Sequence, residues 1–209
     1  MKKHTLYLTA LLISLTAAPA FAQTTTPPAD PNNAAVTQRD IYQQQRIEQG
    51  LKDGQLSTGE AARLEKGEAR IDQMEANADK SGSMSNAEKA RIERTENRES
   101  AAITRDDNNN IKGNPISASS KRMQADVQRD VNQEKRIEQG EKTGSLTPRE
   151  AGQLEHGQAK DDHREYRDGR KGYLTAQNQR QIQRSENHQS HDIYRKKHND
   201  VTTNKVAAK

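Results

Sequence analysis

The residues whose types and spacing suit chemistry sit in glycine turns and in one set of histidines. Three turns share one form: glycine, any residue, an aliphatic residue, Ser or Thr, then Glu three residues on. They are Gly54-Gln55-Leu56-Ser57 with Glu60, Gly82-Ser83-Met84-Ser85 with Glu88, and Gly144-Ser145-Leu146-Thr147 with Glu150. A reading without metal is complete. The glycine ends one helix in the left-handed conformation, the hydroxyl residue caps the next, and the Glu closes a capping box, the cap being worth about 0.5–2 kcal/mol. The histidines outside the leader are His156, His163, His188, His191 and His198. Neutral imidazoles ligate copper or zinc, so convergence of two helices carrying them would make a transition-metal site. The alternative is that they are solvent-facing polar positions.

Around Gly82 a second reading is available. The stretch resembles an EF-hand loop, in which a glycine at the sixth position makes the sharp turn and a Glu at the twelfth gives two oxygens. The resemblance implies Asn77, Asp79, Ser81, Ser85 and Glu88 as side-chain ligands and Ser83 as a carbonyl ligand. Met84 would be the contact to the neighbouring loop. Asn77 stands where that family usually has Asp, and only Asp79 and Glu88 bring charge. The implied cation is Ca²⁺ or a similar hard ion, held weakly, at roughly 10⁻⁴–10⁻³ M. The loops at Gly54, Gly144 and Gly172 lack this ligand set; Arg167 and Lys171 flank the last, and Asn178 replaces its closing Glu.

The elements that position these turns occur twice. Arg46-Ile47-Glu48-Gln49-Gly50 returns as Arg136-Ile137-Glu138-Gln139-Gly140, and the match runs ungapped at an offset of 90 (136 − 46) from Gln38 and Gln128 to Ser100 and Ser190. One unit was duplicated. Within each copy, stripes such as Ala61, Leu64, Ile71, Met74 and Ala78 recur at helical spacing, and strand signals are nearly absent. The predicted fold is all-α: two tandem EF-hand-like three-helix modules joined by a flexible linker, after a cleaved signal peptide. The expected bounds are 1–22 signal peptide, 23–36 disordered linker, 37–105 module A, 106–120 linker, 121–198 module B as a degenerate copy, and 199–209 tail. In module B, Asp161 and Arg164 replace Ile71 and Met74, which suggests a helix end without a docking partner. The Arg-Ile-Glu-Gln-Gly stretch followed by Leu-Thr-Pro-Arg-Glu-Ala also resembles uncharacterised exported bacterial proteins built from this repeat, which implies export and helical repeats but no activity.

Composition narrows the function classes. Lys2 and Lys3, the apolar run from Leu6 to Ala17 and Ala20-Phe21-Ala22 read as a secretory signal, so a periplasmic or secreted protein with no transmembrane segment is expected. Cysteine is absent, which removes disulfides and thiolate chemistry. Hydrophobic residues make up 29% and charged residues 31%, and the net charge of +4 falls to +2 without Lys2 and Lys3. That balance gives no clustered basic footprint for nucleic acid. So polar a chain predicts small helical modules with little core and no deep catalytic pocket, and no phosphate loop or nucleophile elbow occurs. The expectation is a non-enzymatic divalent-cation binding or sensing protein. Two alternatives stand beside it: a structural or stress-protective protein that self-associates or binds an envelope partner, and histidine-based copper or zinc binding by module B.

Overall fold

The computed structural model describes residues 31–201; the expected signal peptide, most of the first linker and the end of the tail lie outside them. The described chain is all-helical. Its elements are α1 (Pro31–Asp53), α2 (Thr58–Ala78), α3 (Asn86–Asp107), α4 (Ala118–Thr143), α5 (Pro148–Gly169) and α6 (Ala176–Lys197), with a 3-10 turn at Asp79–Ser81. The first helix thus starts within the expected linker of 23–36.

The turn chemistry explains the boundaries. Ser57, Ser85, Thr147 and Thr175 are N-caps, and each closes a reciprocal box with Glu60, Glu88, Glu150 or Asn178. Asn178 therefore does the work of the Glu it replaces. Gly54, Gly82, Gly144 and Gly172 all have positive φ, between 67° and 93°, as the turns require.

The two copies do not sit apart. Helices α2 and α5 pack along their length and run antiparallel, with Ala62 against Gly169 at one end and Ala76 and Asp79 against Gly152 at the other. Helices α1 and α4 also pair antiparallel: Thr37 donates to Glu141 near one end, and Gln124 donates to the Leu51 carbonyl near the other. These four helices form a central bundle, with α3 against α1 and α2 and α6 against α4 and α5. The joining segment, non-helical only over 108–117, is docked and not a free tether. Gly113 donates to the Gly54 carbonyl, Asn109 to Glu60 and Lys112 to Gln55. A Cβ on Gly113 would lie 2.1 Å from the Leu56 carbonyl, so only glycine lets the segment approach.

Apolar side chains gather in separate clusters. Ile47, Leu51, Leu56, Leu64 and Ile103 pack with Met123 and Val127 of α4; Val36, Ile71, Met84 and Ile92 form another group; Ile137, Leu146, Leu154 and Ile193 form a third. Leu56 and Met84 belong to different clusters, so the expected loop-to-loop contact through Met84 is not made. The supposed undocked end of α5 is also corrected. Asp161 is buried, and Arg164 bonds both it and Ser185 of α6, so a polar contact replaces the apolar one.

The α2–α5 seam yields a first prediction. A Cβ at Gly152 would meet the Asp79 Cβ at 2.6 Å. Gly152→Ala should lower the urea midpoint by an amount equivalent to about 1–3 kcal/mol, whereas exposed Gln153→Ala should not.

Candidate metal centre

The inner faces of the bundle are acidic. Helix α2 presents Glu65, Glu68, Asp72 and Glu75 at spacings of three, four and three, which is one helical face. Helix α5 presents Glu155, Asp162 and Glu165 in the matching register. Asp126, Asp130 and Glu134 line α4, Asp40 lies on α1, Glu96 on α3 and Glu186 on α6. Among the described residues, twenty of 29 acidic residues are buried, and no lysine, arginine or histidine is buried with them.

Among the described residues, three groups bring one oxygen from each of three carboxylates within 4.8 Å of one another. Asp40, Glu75 and Glu96 come from the three helices of the first copy. Asp130, Glu165 and Glu186 are their counterparts 90 residues later, from the three helices of the second. The third group, Asp72, Glu134 and Glu155, joins α2 of one copy to α4 and α5 of the other. Each intra-copy group has one guanidinium beside it: Arg39 lies 3.3 Å from Glu96 and Arg129 lies 3.5 Å from Glu186. The central group has no ion pair with a base among the described residues.

Burial, more than any partner, sets the protonation of these groups. It pushes Asp40 up to about 6, with hydrogen bonds to Glu75 and Gln43 and the Arg39 charge pulling the other way. Glu65, Glu96 and Glu186 rise to about 8 and Asp126 to about 7, in each case chiefly by desolvation. Glu68, Asp72, Glu75, Asp130, Glu134, Glu155, Asp162 and Glu165 are carried well above the carboxylate range by desolvation, reinforced by neighbouring acids. Both oxygens of Glu68, Asp130, Glu155 and Glu165 lack any hydrogen-bond partner. An unpaired buried carboxylate costs several kcal/mol, so four ionised ones would cost roughly 10–20 kcal/mol against a typical total stability of about 5–15 kcal/mol. Near neutral pH the interior must therefore hold either protons or cations. Facing helices of a bundle with inward carboxylates are a known way to hold metals, and all-oxygen donors suit hard ions.

The side chains around Gly82 are engaged differently. Asn77 accepts from Lys80 at 2.6 Å, and buried Asp79 accepts from Asn33 at 2.5 Å. The Ser81 hydroxyl lies 2.9 Å from the Ser83 carbonyl and 3.1 Å from that of Ala78. Ser85 and Glu88 bond each other in the capping box, and those bonds hold the exposed Glu88 carboxyl below its ordinary range. The two charged members thus face different surroundings, Asp79 the interior and Glu88 the solvent. The histidines do not gather either: His156 bonds Gln73, His198 bonds the Tyr194 carbonyl, His188 and His191 are exposed beside Asp192, and no histidine enters the three groups.

The carboxylate interior is not predicted by the sequence pattern, because an acid-rich helix usually reads as a solvated face. Its signal was nonetheless present. Asp40, Glu65, Asp72, Glu75 and Glu96 all recur as acids at the offset of 90, and four of the α2 acids share one face. No family model, curated protein or solved structure matches this chain.

A pH dependence follows. The folded state binds these protons more tightly than the unfolded chain does. Their stabilising contribution is therefore complete below the unfolded carboxylate range near pH 4 and is lost as pH climbs through about 8. With roughly 2–4 °C per kcal/mol for a chain of this size, the melting midpoint of chelator-treated protein should fall by more than about 5 °C between pH 5 and pH 8.5. A flat or rising midpoint would oppose this.

Proposed function

We propose that this is a non-enzymatic, exported protein that binds hard multivalent cations of the Ca²⁺ type in the carboxylate interior of its helix bundle. The observation that carries the reading is the set Glu68, Asp130, Glu155 and Glu165, buried with neither hydrogen bond nor ion pair. A cation seated there supplies the charge that the protein does not. The oxygens of the Gly82 turn are spoken for by caps and neighbouring side chains, so the turn is read as architecture. The expected site thus moves from the loop to the core while the class of ion stays the same.

Calorimetric titration of chelator-treated protein with Ca²⁺ tests the reading, beside Glu165→Gln and Glu88→Gln. Wild type and Glu88→Gln should take up Ca²⁺ and gain thermal stability, by about 2.7 kcal/mol at a hundredfold excess over Kd. Glu165→Gln should lose at least part of the uptake, yet be more stable than wild type at pH 8 when metal-free, since a buried charge has gone. No heat at millimolar Ca²⁺, or loss of binding in Glu88→Gln alone, would reject the proposal.

A further inference from the structure

The bases that the interior excludes are gathered along one seam. On α2 the exposed side chains are Arg63, Lys66, Arg70 and Asn77, and on α5 they are arginine, lysine, histidine or glutamine only. Among the described residues no acid of either helix is exposed: all are buried except Asp168, which is half-buried against Arg167. Two grooves follow the seam. One, of about 660 Å³, is walled by Lys66 and Arg70 of α2 and by Lys160, Arg164 and Arg167 of α5. Its floor holds the buried pair Ala69 and Ala159. The other, of about 440 Å³, has Lys80, Arg149 and His156 over Ala76 and Gly152. His156 Nδ1 lies 3.1 Å from Gln73 Oε1, so a contact across the seam joins the two.

Most of this charge is uncommitted. Arg164 is held by Asp161 and Ser185, and Arg167 by Asp168. Lys66, Arg70, Arg149 and Lys160 form no ion pair among the described residues, and Lys66 lies over the Tyr166 ring at 5.0 Å. The duplication builds the centre of the seam from both copies, since Ala69 and Ala159, and Arg70 and Lys160, are counterparts at the offset of 90. The copies then diverge toward positive charge, with Arg164 and Arg167 standing where the first has Met74 and Asn77.

The lining selects among anions. Peripheral binding to a bilayer needs an apolar face beside the basic one, and no large hydrophobic side chain is exposed on α2 or α5. Single-stranded nucleic acid stacks its bases on aromatic side chains, and no Phe, Tyr or Trp lines either groove. A peptide brings N–H donors, whereas these walls are themselves donors and Gln73 is engaged by His156. What fits is a narrow chain that offers acceptors alone and a negative charge at every unit. We propose that the α2–α5 seam binds a linear phosphate polyanion of the inorganic polyphosphate type. Guanidinium forks grip its oxygens and lysines add point charges. The site does not rest on the interior cation reading, because protons and cations neutralise the core alike and the groove residues lie outside it.

Fluorescence anisotropy of a labelled medium-chain polyphosphate, titrated with the full chain near pH 6 in metal-free, low-salt buffer, tests the proposal. Wild type should bind, and more weakly as salt is raised. Arg70→Gln/Lys160→Gln should lose roughly tenfold in affinity, two charge-assisted contacts having gone. Lys121→Gln/Lys135→Gln makes the same charge change at exposed positions of α4 and should lose less than about twofold. No binding at low salt, or an equal loss in the two double variants, would overturn the site. Equal or tighter binding to anionic phospholipid vesicles or to oligo-dT, at matched phosphate, would overturn the choice of ligand in favour of a membrane or a nucleic acid. Ca²⁺ uptake should be unchanged in Arg70→Gln/Lys160→Gln, which alters no interior carboxylate, so the seam and the interior reading fail separately.

Discussion

A carboxylate enclosed by helices must be neutralised, and among the described residues almost nothing basic is on the inside to do it. Arg39 and Arg129 reach the rim of two acidic groups, and none of the other described lysines and arginines is buried. Helices α2 and α5 show the division most clearly. Their inner faces carry the acids, while Lys66, Arg70, Lys160, Arg164 and Arg167 line a groove of about 660 Å³ over the same pair. The near-neutral net charge of the chain therefore conceals two segregated charges. Protons or cations in the core relieve the inner one, and the outer face then keeps its positive sign.

The architecture follows from the same constraint. A chain with so few apolar residues cannot fill the centre of the bundle formed by its six described helices with hydrocarbon. It places its apolar clusters apart from one another and leaves acids to span α2 and α5. Small residues such as Gly152 and Ala62 bring those helices close enough for carboxylates of both copies to meet. The capping boxes hold the helix ends without help from the core. They let the scaffold be specified by turns while its centre is reserved for charge.

Helices, turns and duplication were legible in the sequence because each has a local cause. Left-handed glycines and Ser or Thr caps mark the boundaries at Ser57, Ser85 and Thr147, and an ungapped offset marks the copies. The packing of one copy against the other was not legible, since it depends on which face of α2 meets α5. That same fact hid the candidate site. Glu65, Asp72 and Glu75 look like solvent-facing acids until a second acidic face is laid against them. The oxygens of the Gly82 loop are close in sequence, while the carboxylates of the core are close only in space.

The most direct test is an anomalous-difference map from crystals of the full chain grown with Tb³⁺. The account predicts peaks inside the bundle, between α2 and α5 and at the Asp40/Glu75/Glu96 and Asp130/Glu165/Glu186 groups. Peaks confined to the Gly82 turn or to surface carboxylates, with the interior acids in contact only with one another, would contradict it.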